Sequence, residues 1–580
     1  RLAHSVAGMP RSIKTSLALL LAVSFPAPAW QPAAAQPQDA PARPKLLVIL
    51  VVDQMRSDYI TAYGHQWTKG LRRLLDQGAW FTEGAYPYLN TVTCAGHATI
   101  STGAVPAVHG MILNSWWNRA SAASESCTRD YDTPLVTFGE PLQGGESAVF
   151  LRAPTLAQRL REQLGKEQAR VAAFSRKARS AIMLAGKDAD AVVWLAEDGI
   201  WTTSQAYPAQ PFLQTFFGSN PVAKDVRKKW TLSLARSKYL YKDSAPGERP
   251  QPPHWTVRFP HRLRNGTVRP DADFYRAWND SPFADEYVAR MARTAVDALD
   301  LGQRDGATDL LAVSFATLDG VGHDFGPRSF EVQDTLVRLD ATIGKLLDYL
   351  DDEVGKGNYT IALSADHGVA DVPEQMNDLG EDAGRVPTGR TLDAAMMVLE
   401  EHFGEGRHVI AQMYTDFYFA DGVYQRLLEN PAVLDEVIAA IHSVPGVARV
   451  LRGDLLPGLQ QSSDPIERAA ALNYFPERSG DLIIVPKLNW FFVPGRGSST
   501  PATHGTAHPY DTRVPVLLWG AGIRTGKYAQ PATPADIAPT LAALAGIVLP
   551  EATGRVLHEA LAPQKKIEVA APDSLLDSPK

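Results

Sequence analysis

The chain has 580 residues, 45% of them hydrophobic and 21% charged, a make-up typical of globular proteins and a length sufficient for more than one folding unit. Its 57 Lys and Arg against 64 Asp and Glu give a net charge of −7, which argues against a nucleic-acid binder. No apolar run in the body reaches the ~18 residues that a bilayer span requires, so the mature chain is expected to have no membrane segment.

In chain order, "MPRSIKTSLALLLAVSF" sets Arg11 and Lys14 ahead of an apolar stretch from Leu17 to Phe25, and "AAAQ" follows at 33–36. That is the three-part pattern of a secretory signal, and Pro26, Pro28 and Pro32 count against a short core helix instead. Residues 1–35 are assigned to this signal and an upstream remnant, 36–44 to a linker, 45–562 to the folded domain and 563–580 to a polar tail. The expected location is periplasmic or secreted. Cys94 and Cys127 suit an exported protein equally well as one disulfide or as two thiols.

"KLLVILVVD" is a continuous apolar run ending in Asp53, the mark of a strand buried on both faces. "RVAAFS" near 170, "DLLAVSFATLD" at 309–319, "YTIALSADHG" at 359–368 and "VPVLLWGAG" at 514–522 repeat it. Between them "FEVQDTLVRLDATIGKLLDYLDD" has helical spacing. Strands alternating with helices predict an α/β fold, a largely parallel central sheet flanked by helices. Residues 198–285, rich in Trp, Pro and Tyr, and residues 375–480 break the rhythm and read as an inserted lobe and a small cap. Their aromatic residues either stack on a ligand or form core.

Ligands of such sheets sit at the carboxyl ends of the strands, and several of these runs finish in Asp or Asp-His. Asp53, Asp319 with His323 in "DGVGHDFGP", Asp366 with His367 in "SADHG", and His504, with His508 as a rival, supply three Asp and three His. The glycines around His323 and Gly368 predict turns that let each pair converge. Taken singly, each residue has a plain structural reading as a helix cap, salt-bridge partner or core histidine. Together they suit a borderline divalent ion such as zinc, and six ligands are too many for one four-coordinate ion.

In "NTVTCAGHATISTG", Thr93 stands where a helix would begin, and Gly103 is a plausible stop. Helix starts favour anions, yet Thr93 reads equally as a simple cap. Lys177 and Arg179 in "FSRKARSAIMLAG", two apart, would project to the same side of an extended segment and clamp one group of oxygens. Asn114, between apolar neighbours, is a candidate donor to phosphate oxygen.

Taken in order, Asp53, "TCAGHATISTGAVPAVHGMILN", "SRKAR", "DGVGHDFGP", "SADHG", "THG…PYDTRVP" and "ATPADIAPTLAALAGI" resemble the alkaline phosphatase superfamily over roughly residues 45–560. The likeness is nearest to exported bacterial alkaline phosphatases of the PafA type, including that of sphingomonads, which are related to nucleotide pyrophosphatases/phosphodiesterases. The resemblance implies Thr93 as nucleophile. It implies one zinc on Asp319, His323 and His504, and a second on Asp53, Asp366 and His367 with Thr93 beside it. Asn114, Lys177 and Arg179 would grip the phosphoryl oxygens, and His97 has no ligand role in the pattern. The expected substrates are small phosphate monoesters. A phosphodiesterase using the same metals is the alternative, and a non-catalytic metal-binding protein is a further one. A sulfatase is excluded, because Cys94 begins "CAGHA" rather than C-x-P-x-R. An additional Ca²⁺ or Mg²⁺ has candidate oxygen ligands but no recognisable loop.

Overall fold

A computed structural model describes residues 43–196, 199–266, 269–497 and 500–563. The expected signal, most of the linker and all but the first residue of the tail lie outside the described residues.

The main sheet has eleven strands: β1 (Leu46–Val52), β2 (Ala79–Phe81), β3 (Arg129–Thr137), β4 (Gly145–Glu146), β5 (Val171–Ser175), β6 (Ala191–Leu195), β7 (Trp201–Ser204), β8 (Asp309–Phe315), β9 (Tyr359–Ser364), β10 (Val516–Gly520) and β11 (Gly526–Tyr528). Their spatial order is β11-β2-β10-β9-β1-β8-β5-β6-β7-β3-β4. The central strands β9, β1, β8, β5 and β6 run parallel, and β10 pairs antiparallel with β9. The α/β expectation therefore stands.

The apolar runs explain why β1 lies at the centre. Leu46, Val48, Leu50 and Val52 enter one core while Leu47, Ile49 and Val51 enter the other, so each face of the strand is covered. Four helices carry or back the site: α1 (Thr93–Thr102), α2 (Ala178–Ala185), α3 (Thr317–Phe325) and α4 (Phe330–Leu350). α4 is the helix predicted from its periodicity, capped by the Ser329 side chain, which accepts from the Val332 N–H.

The aromatic-rich segment at 198–285 resolves toward core. Trp230, Trp255 and Trp278 are buried in the same apolar cluster as β1, and Trp201 lies in β7 of the main sheet. The smaller lobe has its own apolar cluster and a four-stranded sheet ordered Val409–Met413, Asp416–Phe419, Leu482–Pro486, Val447–Arg452. Its third strand lies beyond the expected boundary at 480, because Leu482 and Ile484 belong to that lobe's core.

Candidate metal centre

Every parallel strand beside β1 delivers a polar residue to the same edge of the sheet. Asp53 follows β1, Lys177 follows β5, Asp319 lies just after β8, and Asp366 and His367 follow β9. His504 precedes β10, whose reversed direction brings its leading loop to that edge as well.

The structure brings five of the six candidate ligands together in two overlapping groups: Asp319, His323 and His504, and Asp53, Asp319 and His367. Asp319 thus reaches both groups, which differs from a clean split into two triads. Asp366 stays close to the second group, with its Oδ2 3.4 Å from His367 Nε2. Its Oδ1 accepts from the backbone N–H groups of Gln54 and His367, at 3.1 and 3.0 Å. His508 is not part of either group: its Nε2 lies 3.0 Å from the Pro486 carbonyl.

Each of the three histidines is oriented by a carbonyl. Nδ1–H donates to Ala502 O from His323 (2.8 Å), to Thr91 O from His504 (2.9 Å) and to Gly368 O from His367 (2.9 Å). A carbonyl only accepts, so Nδ1 carries the proton and each Nε2 turns a lone pair into the site, the arrangement used by metal-ligating histidines. Around His367 Nε2 stand Asp53 Oδ1 at 3.5 Å, Asp366 Oδ2 at 3.4 Å and Thr93 Oγ1 at 3.5 Å. Asp53 Oδ1 and Asp366 Oδ2 are buried and accept no hydrogen bond. Buried acceptors facing a nitrogen lone pair are mutually repulsive unless a cation sits among them, so the donor set fits a divalent ion.

The electrostatics agree. Burial pushes the Asp53 carboxyl well above its usual range, reinforced by Asp366. Against burial, Lys177 and His323 hold Asp319 well below the usual range, and His367 and His97 hold Asp366 low. Burial lowers the His367 imidazole from its usual range and lowers that of His504 further, with His367 and His323 adding to the effect on His504. Lys177 Nζ spans the two carboxylates, 2.6 Å from both Asp53 Oδ2 and Asp319 Oδ2.

Two local readings of the sequence are corrected. Asp319 and His323 do not sit on a glycine turn but one turn apart on α3, His323 Nε2 lying 3.2 Å from Asp319 Oδ1. The intervening glycines serve close packing. A Cβ on Gly322 would overlap the Gln54 side chain, and one on Gly320 would crowd Asp280 and Arg176. Lys177 and Arg179 are likewise not on one extended segment: Lys177 caps α2 and Arg179 lies in its first turn. Both still stand at the carboxyl end of β5.

Thr93 is the first residue of α1, after the extended Val92 in the N-cap position, and its hydroxyl faces His367 Nε2 at 3.5 Å. The plain capping explanation therefore does not apply. Gly103 ends the helix in the left-handed conformation, φ 69°. Helix α1 presses against the end of β9 through Gly96, where a Cβ would collide with the Asp366 backbone. Gly96→Ala is expected to destabilise the fold by about 2 kcal/mol in urea unfolding and to lower metal affinity, because helix and strand end must separate.

Two contributors, Gln54 and Tyr414, escaped sequence reasoning, and His97, expected to have no ligand role, stands beside the ligands as a hydrogen-bonding residue. Gln54, buried with φ 70°, donates through Nε2 to Asp319 Oδ1 at 2.7 Å. His97 is buried between the two halves, its Nδ1 2.9 Å from Thr93 O and 3.2 Å from Asp366 Oδ2, its Nε2 2.8 Å from Ser314 Oγ. Tyr414 comes from the small lobe with φ 52°, and its phenol, whose pKa burial raises, stands beside the Asn114 side chain. Gln54 had one available signal, its place directly after Asp53; Tyr414 had none.

The model of a family described as type I phosphodiesterase / nucleotide pyrophosphatase matches residues 47–511, a span that holds every candidate ligand. The chain belongs to that family. It is similar to alkaline phosphatase PafA of Elizabethkingia meningoseptica, 32% identical over 91% of this chain and 96% of that protein. The crystal structure of PafA superposes with a TM-score of 0.83 at 31% identity, covering 90% of this chain and all of that one. A protein of Myroides odoratus named calcium-transporting ATPase is 32% identical over 90% of this chain and 95% of its own. Alkaline phosphatase PhoV of Synechococcus elongatus is 30% identical over 94% and 98%. Among the described residues no helix is long and apolar enough to cross a membrane. The expected enzyme class, a phosphoric monoester hydrolase, stands with these alkaline phosphatase relatives.

Proposed function

We propose that the protein is an exported alkaline phosphatase that hydrolyses phosphate monoesters through a phosphothreonine at Thr93, at a two-zinc site. The observation that carries this reading is the Thr93 hydroxyl, at a helix start and 3.5 Å from His367 Nε2, beside two carboxylate oxygens that lack partners. Asp319, His323 and His504 would hold one ion, and Asp53, Asp366 and His367 the other, with Thr93 next to the second. Bound there, zinc would supply Lewis-acid stabilisation of the attacking and departing oxygens and make the hydroxyl and water better nucleophiles.

The protein's own groups do the rest. Thr93 Oγ gives up its proton to solvent water and attacks phosphorus in line; the Oγ–P bond forms as the ester P–O bond breaks, and the departing alkoxide takes a proton from water. Exposure sets the direction of departure. The His323 side chain is 28% exposed whereas that of His367 is fully buried, so the leaving group exits on the His323 side. Water attacks phosphorus from that same side, restoring the Thr93 hydroxyl and releasing inorganic phosphate. The Asn114 amide and the Lys177 and Arg179 cations neutralise the phosphoryl oxygens, which suits the dianion of a monoester better than the monoanion of a diester. Lys177 on its flexible stem can trade the two carboxylates for a phosphoryl oxygen. Export is supported by the signal pattern at the N-terminus and by a Cys94–Cys127 disulfide.

Elemental analysis of purified protein, combined with p-nitrophenyl phosphate and bis-p-nitrophenyl phosphate assays with and without chelator, tests this reading. The expected result is two zinc ions per chain, a dominant monoesterase activity lost on chelation, and its return with added Zn²⁺. Dominant diester turnover would favour the phosphodiesterase alternative. Chelator-resistant activity would sink the metal assignment.

A further inference from the structure

Asn114 is gripped from two directions by residues that are themselves joined. The Cys94 N–H donates to its side-chain Oδ1 at 2.8 Å, and the Cys127 N–H donates to its main-chain carbonyl at 3.0 Å. Cys94 and Cys127 form a disulfide, and both are fully buried. Covalent bond, main-chain bond and side-chain bond therefore close a ring through Asn114, and one member of that ring is the residue directly after Thr93.

The ring settles the direction of the amide. With Oδ1 committed to the Cys94 N–H, Nδ2 turns the other way, on the side of the Tyr414 phenol. An amide nitrogen has two hydrogens to donate, and one can serve an oxygen of the substrate. Helix α1 fixes Cys94, but Asn114 belongs to the irregular segment between His109 and the strand Ser115–Asn118. The disulfide ties this less regular partner to the helix that carries Thr93.

We propose that the Cys94–Cys127 disulfide is a positioning device for the phosphoryl clamp: it holds the Asn114 amide in register with the Thr93 hydroxyl, and opening it weakens the grip on the phosphoryl group. The inference rests on the reading of Asn114 as a phosphoryl-oxygen donor. Opening the bond takes two electrons and two protons from a dithiol, which becomes a disulfide in turn, and leaves two cysteine thiols. The sulfurs touch no substrate; they act through Asn114.

A double-mutant cycle tests it on the zinc-saturated enzyme. Wild type, Asn114→Ala, Cys94→Ala/Cys127→Ala and the triple variant are compared in kcat/KM for p-nitrophenyl phosphate and in competitive inhibition by inorganic phosphate, with melting temperature as a control. Removing the cysteine pair is expected to lower kcat/KM and weaken phosphate inhibition by about tenfold when Asn114 is present, and by less than about twofold when it is alanine. Equal losses in both backgrounds, or a lowered melting temperature with unchanged kinetics, overturn the inference while leaving the proposed function intact. An Asn114→Ala enzyme with wild-type kinetics overturns the clamp reading itself. Should the alanine pair fail to fold, Cys94→Val/Cys127→Ala, which refills the lost sulfur volume, is carried through the same cycle.

Discussion

Thr93→Ala is expected to yield a folded, zinc-loaded protein whose hydrolysis of p-nitrophenyl phosphate has fallen by about 10⁴-fold or more. The size follows from the chemistry: without Oγ no covalent intermediate forms, and what remains is a phosphoryl site with no nucleophile of its own. The specificity follows from the structure. Val92 rather than Thr93 holds the N-cap position, so Val92 and Gly103 still define the ends of helix α1 after the change. Its hydroxyl is one donor at the edge of a set that keeps Asp53, Asp366 and His367. Metal content by elemental analysis should therefore stay near the wild-type value. A non-catalytic cation-binding protein predicts no change in either quantity, and a fall in metal together with activity would mean that Thr93 is structural.

Lys177→Ala should separate the two ester classes. A monoester dianion places one more charge in the clamp than a diester does, and Lys177 is only 11% exposed, so its ammonium acts with little screening by water. Monoester kcat/KM is expected to drop by about 10²–10³-fold and diester kcat/KM by less than about tenfold. The same Nζ lies 2.6 Å from Asp53 and from Asp319, so its removal concentrates negative charge at the ligands and should tighten metal binding. Activity lost while zinc is retained marks Lys177 as acting on substrate. Equal losses for both esters would shift the assignment to a phosphodiesterase.

How much of this was readable in the amino-acid order differs from residue to residue. The buried strands were legible because a two-face strand needs an unbroken apolar run, and "LLVILVV" divides its side chains between two cores. The acids ending those runs were legible for the same reason: a carboxylate there has nothing to do for the core. The local geometry was not. Two glycines near His323 look like a turn, yet they sit in a helix whose flanks must admit Gln54 and Asp280, a demand made by residues 268 and 40 positions away. The Lys177–Arg179 spacing was read with a period of two although the chain had already turned into a helix. Nothing local marks Tyr414, because its neighbour Asn114 lies in a different lobe. The cysteine pairing stayed open because two cysteines 33 residues apart fix no geometry. The tryptophans of the insert stayed open between ligand stacking and core because no period organised them, and Trp230, Trp255 and Trp278 prove to be core.

The reach of the chain has one more consequence. Neighbouring strands β1 and β8 pair Leu46 with Asp309, and the histidine held by the Thr91 carbonyl is His504. Contacts of such separation form late and only when both ends are present. A polypeptide still emerging from the ribosome, short of residue 504, lacks a metal-binding imidazole and the hook that anchors it. The candidate centre is complete only when the whole span from Asp53 to His504 is present.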